Sequence, residues 1–194
     1  MTSSLTALNA VNFFMADVRD GLGPYLGVFL QEKKWSPGEI GAVMTLGGIA
    51  GMIATTPLGA LVDRLREKRA LMAIACIATV IGSLTILFWP GFGVTAASQV
   101  ATGIAGAVIA PAIAGITLGL VHQKGFTHQM GRNEAFNHAG NVVAALACGI
   151  AGYAFGLVAV FAVMTAMAVV SLIALAFIDP KQIDYEAARG ASEK

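Results

Sequence analysis

Charged residues come in short bursts along this chain, and long apolar runs lie between them. No Asp, Glu, Lys or Arg occurs over residues 70–123, roughly 54 positions, or over residues 135–178, roughly 44 positions. A helix needs about 20 apolar residues to cross a bilayer's hydrocarbon core, so each run holds two crossings. Together with the two apolar runs before residue 63, the pattern predicts spans at residues 5–30, 40–62, 70–89, 94–121, 133–155 and 157–178. The punctuation agrees. Ser36-Pro37 is a helix start, Pro90-Gly91 parts the third span from the fourth, Gly156 marks a tight turn, and Asp179-Pro180 ends the sixth. "QEKKWSPGE", "DRLREKR" and "HQKGFTHQMGR" read as loops. The expected architecture is an all-α membrane protein of six transmembrane helices over residues 1–178, followed by a polar, loosely ordered tail, 179–194.

Composition strengthens this reading. Hydrophobic residues make up 57% of the chain and charged residues 12%, with mean hydropathy +0.76. A soluble domain is about a quarter charged, so there is too little charge here to cover a soluble surface. Net charge is +1, which gives no reason to expect nucleic acid. Cys76 and Cys148 both fall inside spans and read as small buried apolar residues. No basic segment precedes the first apolar run, so no cleaved signal peptide is expected. Nothing calls for a metal or another cofactor.

Orientation follows from the basic residues. Arg64, Arg66, Lys68, Arg69, Lys124 and Arg132 fall in one set of loops, and Lys181, Arg189 and Lys194 in the tail; the opposite set holds Lys33 and Lys34. Both termini are therefore expected on the cytoplasmic side of a plasma or inner membrane. Three glycine pairs spaced four apart, Gly47/Gly51, Gly115/Gly119 and Gly152/Gly156, are candidate close-packing positions.

The first span carries the least expected residues: Asp17, Arg19 and Asp20, within "ADVRDGLGP". Insertion scales put each such charge at about 2.5–3.5 kcal/mol at a helix centre, so three would approach ~8–10 kcal/mol without compensation. At 100° per residue Asp17 and Asp20 lie about 60° apart, and Arg19 points elsewhere. Two readings stand. The charges neutralise one another against a neighbouring helix, or at least one lies on a substrate or proton path. The fifth span opens with a polar stripe, Asn133, Glu134, Asn137 and Asn141. For Asn137 and Asn141 the choice is interhelical hydrogen bonding or a cavity wall opposite the first span. His122 and His128 read as solvated loop residues.

"PLGALVDRLREKRALM" resembles the loop between spans two and three of the major facilitator superfamily, G-x-L-x-D-R-x-G-R-[RK]. Gly59, Leu61, Asp63, Arg64 and Lys68 match, while Arg66 and Glu67 depart from the pattern. The resemblance implies a twelve-span transporter in two six-span bundles, of which this chain resembles the N-terminal bundle and the start of the inter-bundle loop. Each bundle would be a two-times-three inverted repeat, and Pro24 and Pro111 fall in the first helix of each unit. It also implies a conformational-gating role for Gly59, Asp63, Arg64 and Lys68. "SQVATGIAGAVIAPAIAGITLGLV" resembles the fourth span, with Gln99 where the family often has an arginine linked to proton coupling. By the same analogy Ser98 and Gln99 are cavity candidates. The Gly-Pro motif of many drug antiporters is missing from the fifth span.

The expected function is secondary active transport of a small polar solute by alternating access. The expected partners are membrane lipid, the solute, and a second six-helix half on the same or another chain. The alternative is a non-transporting half-bundle, an accessory subunit or truncated product. An intramembrane enzyme is disfavoured: there is no G-x-S-x-G, and Asp17 and Asp20 share one helix.

Overall fold

The computed structural model describes residues 3–19 and 22–190. Its order is α1 (Ser3–Arg19), α2 (Pro24–Glu32), α3 (Pro37–Arg64), α4 (Lys68–Phe88), α5 (Phe92–Phe155) and α6 (Val158–Ala176), then two single-turn 3-10 helices, Pro180–Gln182 and Ala187–Arg189. Among the described residues there is no strand. Four helices, α3 to α6, are long and apolar enough to cross a membrane.

Several boundaries follow from local chemistry. Ser36 caps α3 in a reciprocal box: its Oγ accepts from the Glu39 amide at 3.3 Å, and Glu39 Oε2 accepts from the Ser36 amide at 2.8 Å. Pro37 then takes the first helical position, where no amide is needed. Gly156, at φ 81, ends α5.

Three expectations are corrected. The first span is not one helix. Gly23 sits at φ 50, a conformation glycine adopts without strain, and Pro24 opens a new helix. The expected loop after the fourth span is helical, and the chain bends instead at His122 (φ 54, ψ −177). That bend divides α5 into a first arm, 92–121, and a second arm, 123–155. It is needed, because 64 residues at about 1.5 Å per residue would reach ~96 Å, some three times a bilayer core. Pro111 lies inside the first arm without ending it, so it is no counterpart of Pro24.

The third correction concerns residues 179–190, which dock instead of trailing loosely. Ile183 and Ala188 are buried with Val62, Met72 and Ile116. The Asp184 amide donates to the Gly119 carbonyl at 2.9 Å. The Asp179 amide donates to Ser4 Oγ at 3.1 Å, so the start of α1 and the segment after α6 meet at one end of the bundle.

Helix α5 packs against α1, α3, α4 and α6. Glycine sets the closest approaches. A Cβ at Gly47 would stand 2.8 Å from the Gln99 carbonyl oxygen, and one at Gly51 3.0 Å from that of Gly103. The first glycine pair therefore joins α3 to the first arm as its spacing predicts. On the other side Gly140 meets the backbone of Phe13. The pair Gly115/Gly119 instead seats the Lys68 side chain and residues 183–188. Helix α3 is peripheral, with 11% of its most apolar segment buried against 44% in α6, and it exposes Met52 and Ile53.

The seam yields a paired prediction. Gly47→Ala forces the α3 backbone away from Gln99 and lowers thermal stability by about 1–3 kcal/mol. Gly48→Ala, with nothing within 4 Å of its Cβ position, leaves stability unchanged or slightly raised. Thermal unfolding of both variants in one detergent checks the contrast.

Candidate functional site

The break after α1 puts Asp17 and Arg19 in the last turn of a helix that ends inside the bundle. Two positions apart, they point to opposite sides, and each lines a different cavity. Asp17 shares one of about 220 Å³ with Gly23, Pro24, Tyr25, Asn141 and Ala145. Tyr25 closes one wall, its hydroxyl donating to the Ala145 carbonyl at 2.9 Å. Arg19 lines a cavity of about 470 Å³ between α1, α3 and the first arm of α5, with Thr55, Gln99, Thr102, Gly103 and Pro111 among its walls. The glycines that bring α3 onto α5 also leave this space unfilled.

The structure therefore joins Asp17 to Asn141 and Arg19 to Gln99, and it separates the two pairs. Asn137 lines neither cavity; its Oδ1 accepts from Asn141 Nδ2 at 3.3 Å. Ser98 faces α4, where its Oγ would stand 2.8 Å from a Cβ on Gly82. Asp20 lies outside the described residues.

The basic loop is shorter than its sequence implies, because Arg64 belongs to α3, and Lys68 and Arg69 to α4. Lys68 is 1% exposed. Its ammonium donates to the carbonyls of Val62, Asp63 and Leu65, the last turn of α3 and the residue after it. Arg69 does the same for α6, donating to Leu175 at 3.1 and 3.2 Å and to Ala176 at 3.2 Å. Helix C-termini leave carbonyls unpaired and carry negative partial charge, so two cations of this loop tie off two helices. Asp63 and Arg64 are exposed, and nothing described lies within 4 Å of a Cβ at Gly59.

The family model described as Major Facilitator Superfamily matches residues 3–193. The chain belongs to the major facilitator superfamily. Two curated relatives, both named uncharacterized MFS-type transporters, come from Mycobacterium tuberculosis strains CDC 1551 / Oshkosh and H37Rv. Each is 47% identical over 185 residues, covering 95% of this chain and 44% of the relative. The chain thus spans less than half the length of the curated relatives it matches. No solved structure matches it significantly. Membership in the superfamily, with four helices apolar enough to cross a bilayer, makes this an integral membrane protein.

Within this superfamily chain, sequence reasoning passed over a buried polar cluster at the bend of α5. Gln129 Nε2 donates to Asn9 Oδ1 and to Asn133 Oδ1, both at 2.9 Å. Asn133 Nδ2 donates to Thr117 Oγ1 at 2.8 Å. The cluster ties α1 to both arms. Its signal was present in Asn133, but Gln129 sat in an expected loop and Asn9 and Thr117 in apolar spans. Removing Asn133 breaks two of these bonds. Asn133→Leu is expected to lower stability by about 1–3 kcal/mol, read by thermal unfolding, while Asn137→Leu on the outer part of the stripe is near neutral.

His122, expected to be solvated, stands 4.0 Å from the Asp184 carboxylate. The amides of Ala187 and Glu186, donating to Asp184 Oδ1 at 3.1 and 2.9 Å, hold this carboxyl below its ordinary range against an opposing desolvation, and His122 adds a lesser lowering. Because the folded value is lowered, the stabilisation is complete above the ordinary carboxylate range. It is lost as pH falls through the lowered value. Protection of residues 183–188 against hydrogen exchange, relative to the intrinsic rate, should therefore fall in that acid window, and Asp184→Asn should abolish the step.

Proposed function

We propose that this chain forms the N-terminal half of a twelve-span transporter that moves a small polar solute by alternating access. The observation that carries the reading is the pair of cavities flanking one broken helix, each lined by one charged residue of α1. Broken helices with polar groups at the break are where transporters of this kind bind solute and coupling ion. Superfamily membership and the share of the relatives covered support the same reading.

In this reading the chain crosses the membrane six times: by α1 with α2, by α3, by α4, by each arm of α5, and by α6. The spans form two units of three in inverted repeat. The termini and the basic α3–α4 loop lie on the cytoplasmic side. A second six-helix half, on the same polypeptide or another, covers the exposed apolar faces of α3 and the second arm, where Met52, Ile53, Leu146 and Ile150 are all more than half exposed. Gly59, Asp63 and Arg64 are free to meet that half and act in gating, while lipid covers the remaining apolar surface. Asp17, with Asn141 beside it, is the proton or ion site; Asp20 is a second candidate. Arg19 and Gln99 lie on the solute path, and Asn137, hydrogen-bonded to Asn141, extends the polar stripe on the Asp17 side.

The test uses the full-length protein in proteoliposomes with a panel of labelled anionic, cationic and neutral solutes. Asp17→Asn and Asp20→Asn are each expected to abolish accumulation while insertion stays intact. Full accumulation by both variants would return the acids to a structural role. A full-length protein that moves no solute would leave the non-transporting half-bundle.

A further inference from the structure

The larger cavity has a chemistry that narrows its occupant. Arg19 lines it, and no acidic residue is found among its described walls. A guanidinium stays protonated at any accessible pH, and in a low-dielectric setting a charge without a counter-charge is costly. Among the described residues, no hydrogen bond or ion pair engages the Arg19 side chain. A second wall group also lacks a partner. Thr102 is buried, at 8% exposure, and its Oγ1 makes no hydrogen bond among the described residues. Thr102 and Gln99 lie almost one helical turn apart on the first arm of α5, so both turn toward the same space. The remaining walls are small or apolar, Met52 and Pro111 among them. The volume, about 470 Å³, falls in the range of small-molecule sites.

We infer that this cavity binds a small organic anion. Its carboxylate or phosphate head pairs with Arg19 and accepts from Thr102, and its apolar body rests on the Met52 and Pro111 side. The planar fork of arginine matches both heads, each of which offers two oxygens. Asp17 lies across α1 in the other cavity, so an anion beside Arg19 meets no carboxylate from that residue. The inference deepens the transport reading and rests on it for the physiological meaning of the site, but binding itself can be measured without transport.

The experiment uses four ligands with one body: butyrate, butyl phosphate, butyramide and butylammonium. Each is titrated against the full-length protein in detergent at constant ionic strength, with thermal unfolding as the readout. Butyrate or butyl phosphate, or both, should stabilise saturably at millimolar concentration, and the stronger of the two identifies the head. Butyramide and butylammonium should not. Arg19→Gln should raise the half-saturating anion concentration about tenfold or more, and Arg19→Lys by less. Thr102→Val, close in shape and gentle to the fold, should raise it about threefold. This variant keeps the inference testable if Arg19→Gln does not fold. Stabilisation by butylammonium, unchanged anion binding in a folded Arg19→Gln or in Thr102→Val, or no anion effect at all would overturn the inference. Anion binding without accumulation in proteoliposomes would instead count against the transport reading and leave the site standing. Accumulation of cationic or neutral solutes with no anion binding would do the reverse.

Discussion

Backbone meeting backbone is the contact on which this bundle depends. Lipid tails are as apolar as leucine, so no hydrophobic force drives one membrane helix onto another, and close van der Waals contact has to supply the cohesion. Glycine permits that contact on both sides of α5. Gly47, Gly51 and Gly103 bring α3 against the first arm, and Gly140 brings α1 against the second. The same substitution of hydrogen for side chain leaves space beside the seam, and the Arg19 cavity occupies it. Cohesion and cavity thus come from one set of residues. Bulk added at Gly47 acts on both.

A second constraint concerns helix ends. Where water is scarce, every terminal carbonyl needs a donor. Lys68 serves α3 and Arg69 serves α6. The segment 179–190 then lies across the same end of the bundle, on Gly115 and Gly119, and the Lys68 stem also packs against Gly115. The basic loop is usually read as a topological marker. Here two of its cations also have specific structural work, which explains why Lys68 is buried while Arg64 and Arg66 stay exposed.

Much of this was legible in the sequence. The helical class followed from charge-free runs; the starts and stops at Ser36, Pro90, Gly156 and Asp179 followed from residues that cap a helix or cannot easily continue one. That Arg19 points away from Asp17 followed from helical angle alone, and the two residues line different cavities, but Gly23, expected on the Arg19 side, lines the Asp17 cavity. The failures have physical causes. "HQKGFTHQMGR" looked like a loop because its residues are polar, but polarity does not prevent helix when partners are near. Gln129 finds them in Asn9 and Asn133. The tail looked loose because it is polar on average, and its seat depends on Ile183 and Ala188, which no periodicity marks. Gly115 and Gly119 have the spacing of a helix contact, but spacing cannot say whether a helix or a loop will fill the groove.

The break at Gly23 gives the two cavities a mechanical relation. Asp17 and Arg19 sit on the last turn of one rigid helix, two residues apart, and the next helix starts at Pro24. Any rotation of α1 moves both residues at once, in opposite directions relative to their cavities. On the transport reading, an ion held beside Asp17 and a solute held beside Arg19 then compete or cooperate through the orientation of a single turn. A continuous helix would resist such rotation along its whole length. A break with a glycine at φ 50 separates α1 from α2, so rotation of α1 need not carry α2 with it. On the transport reading, placing both charges next to the break, at a cost that an apolar helix would avoid, lets one helix answer to both sites.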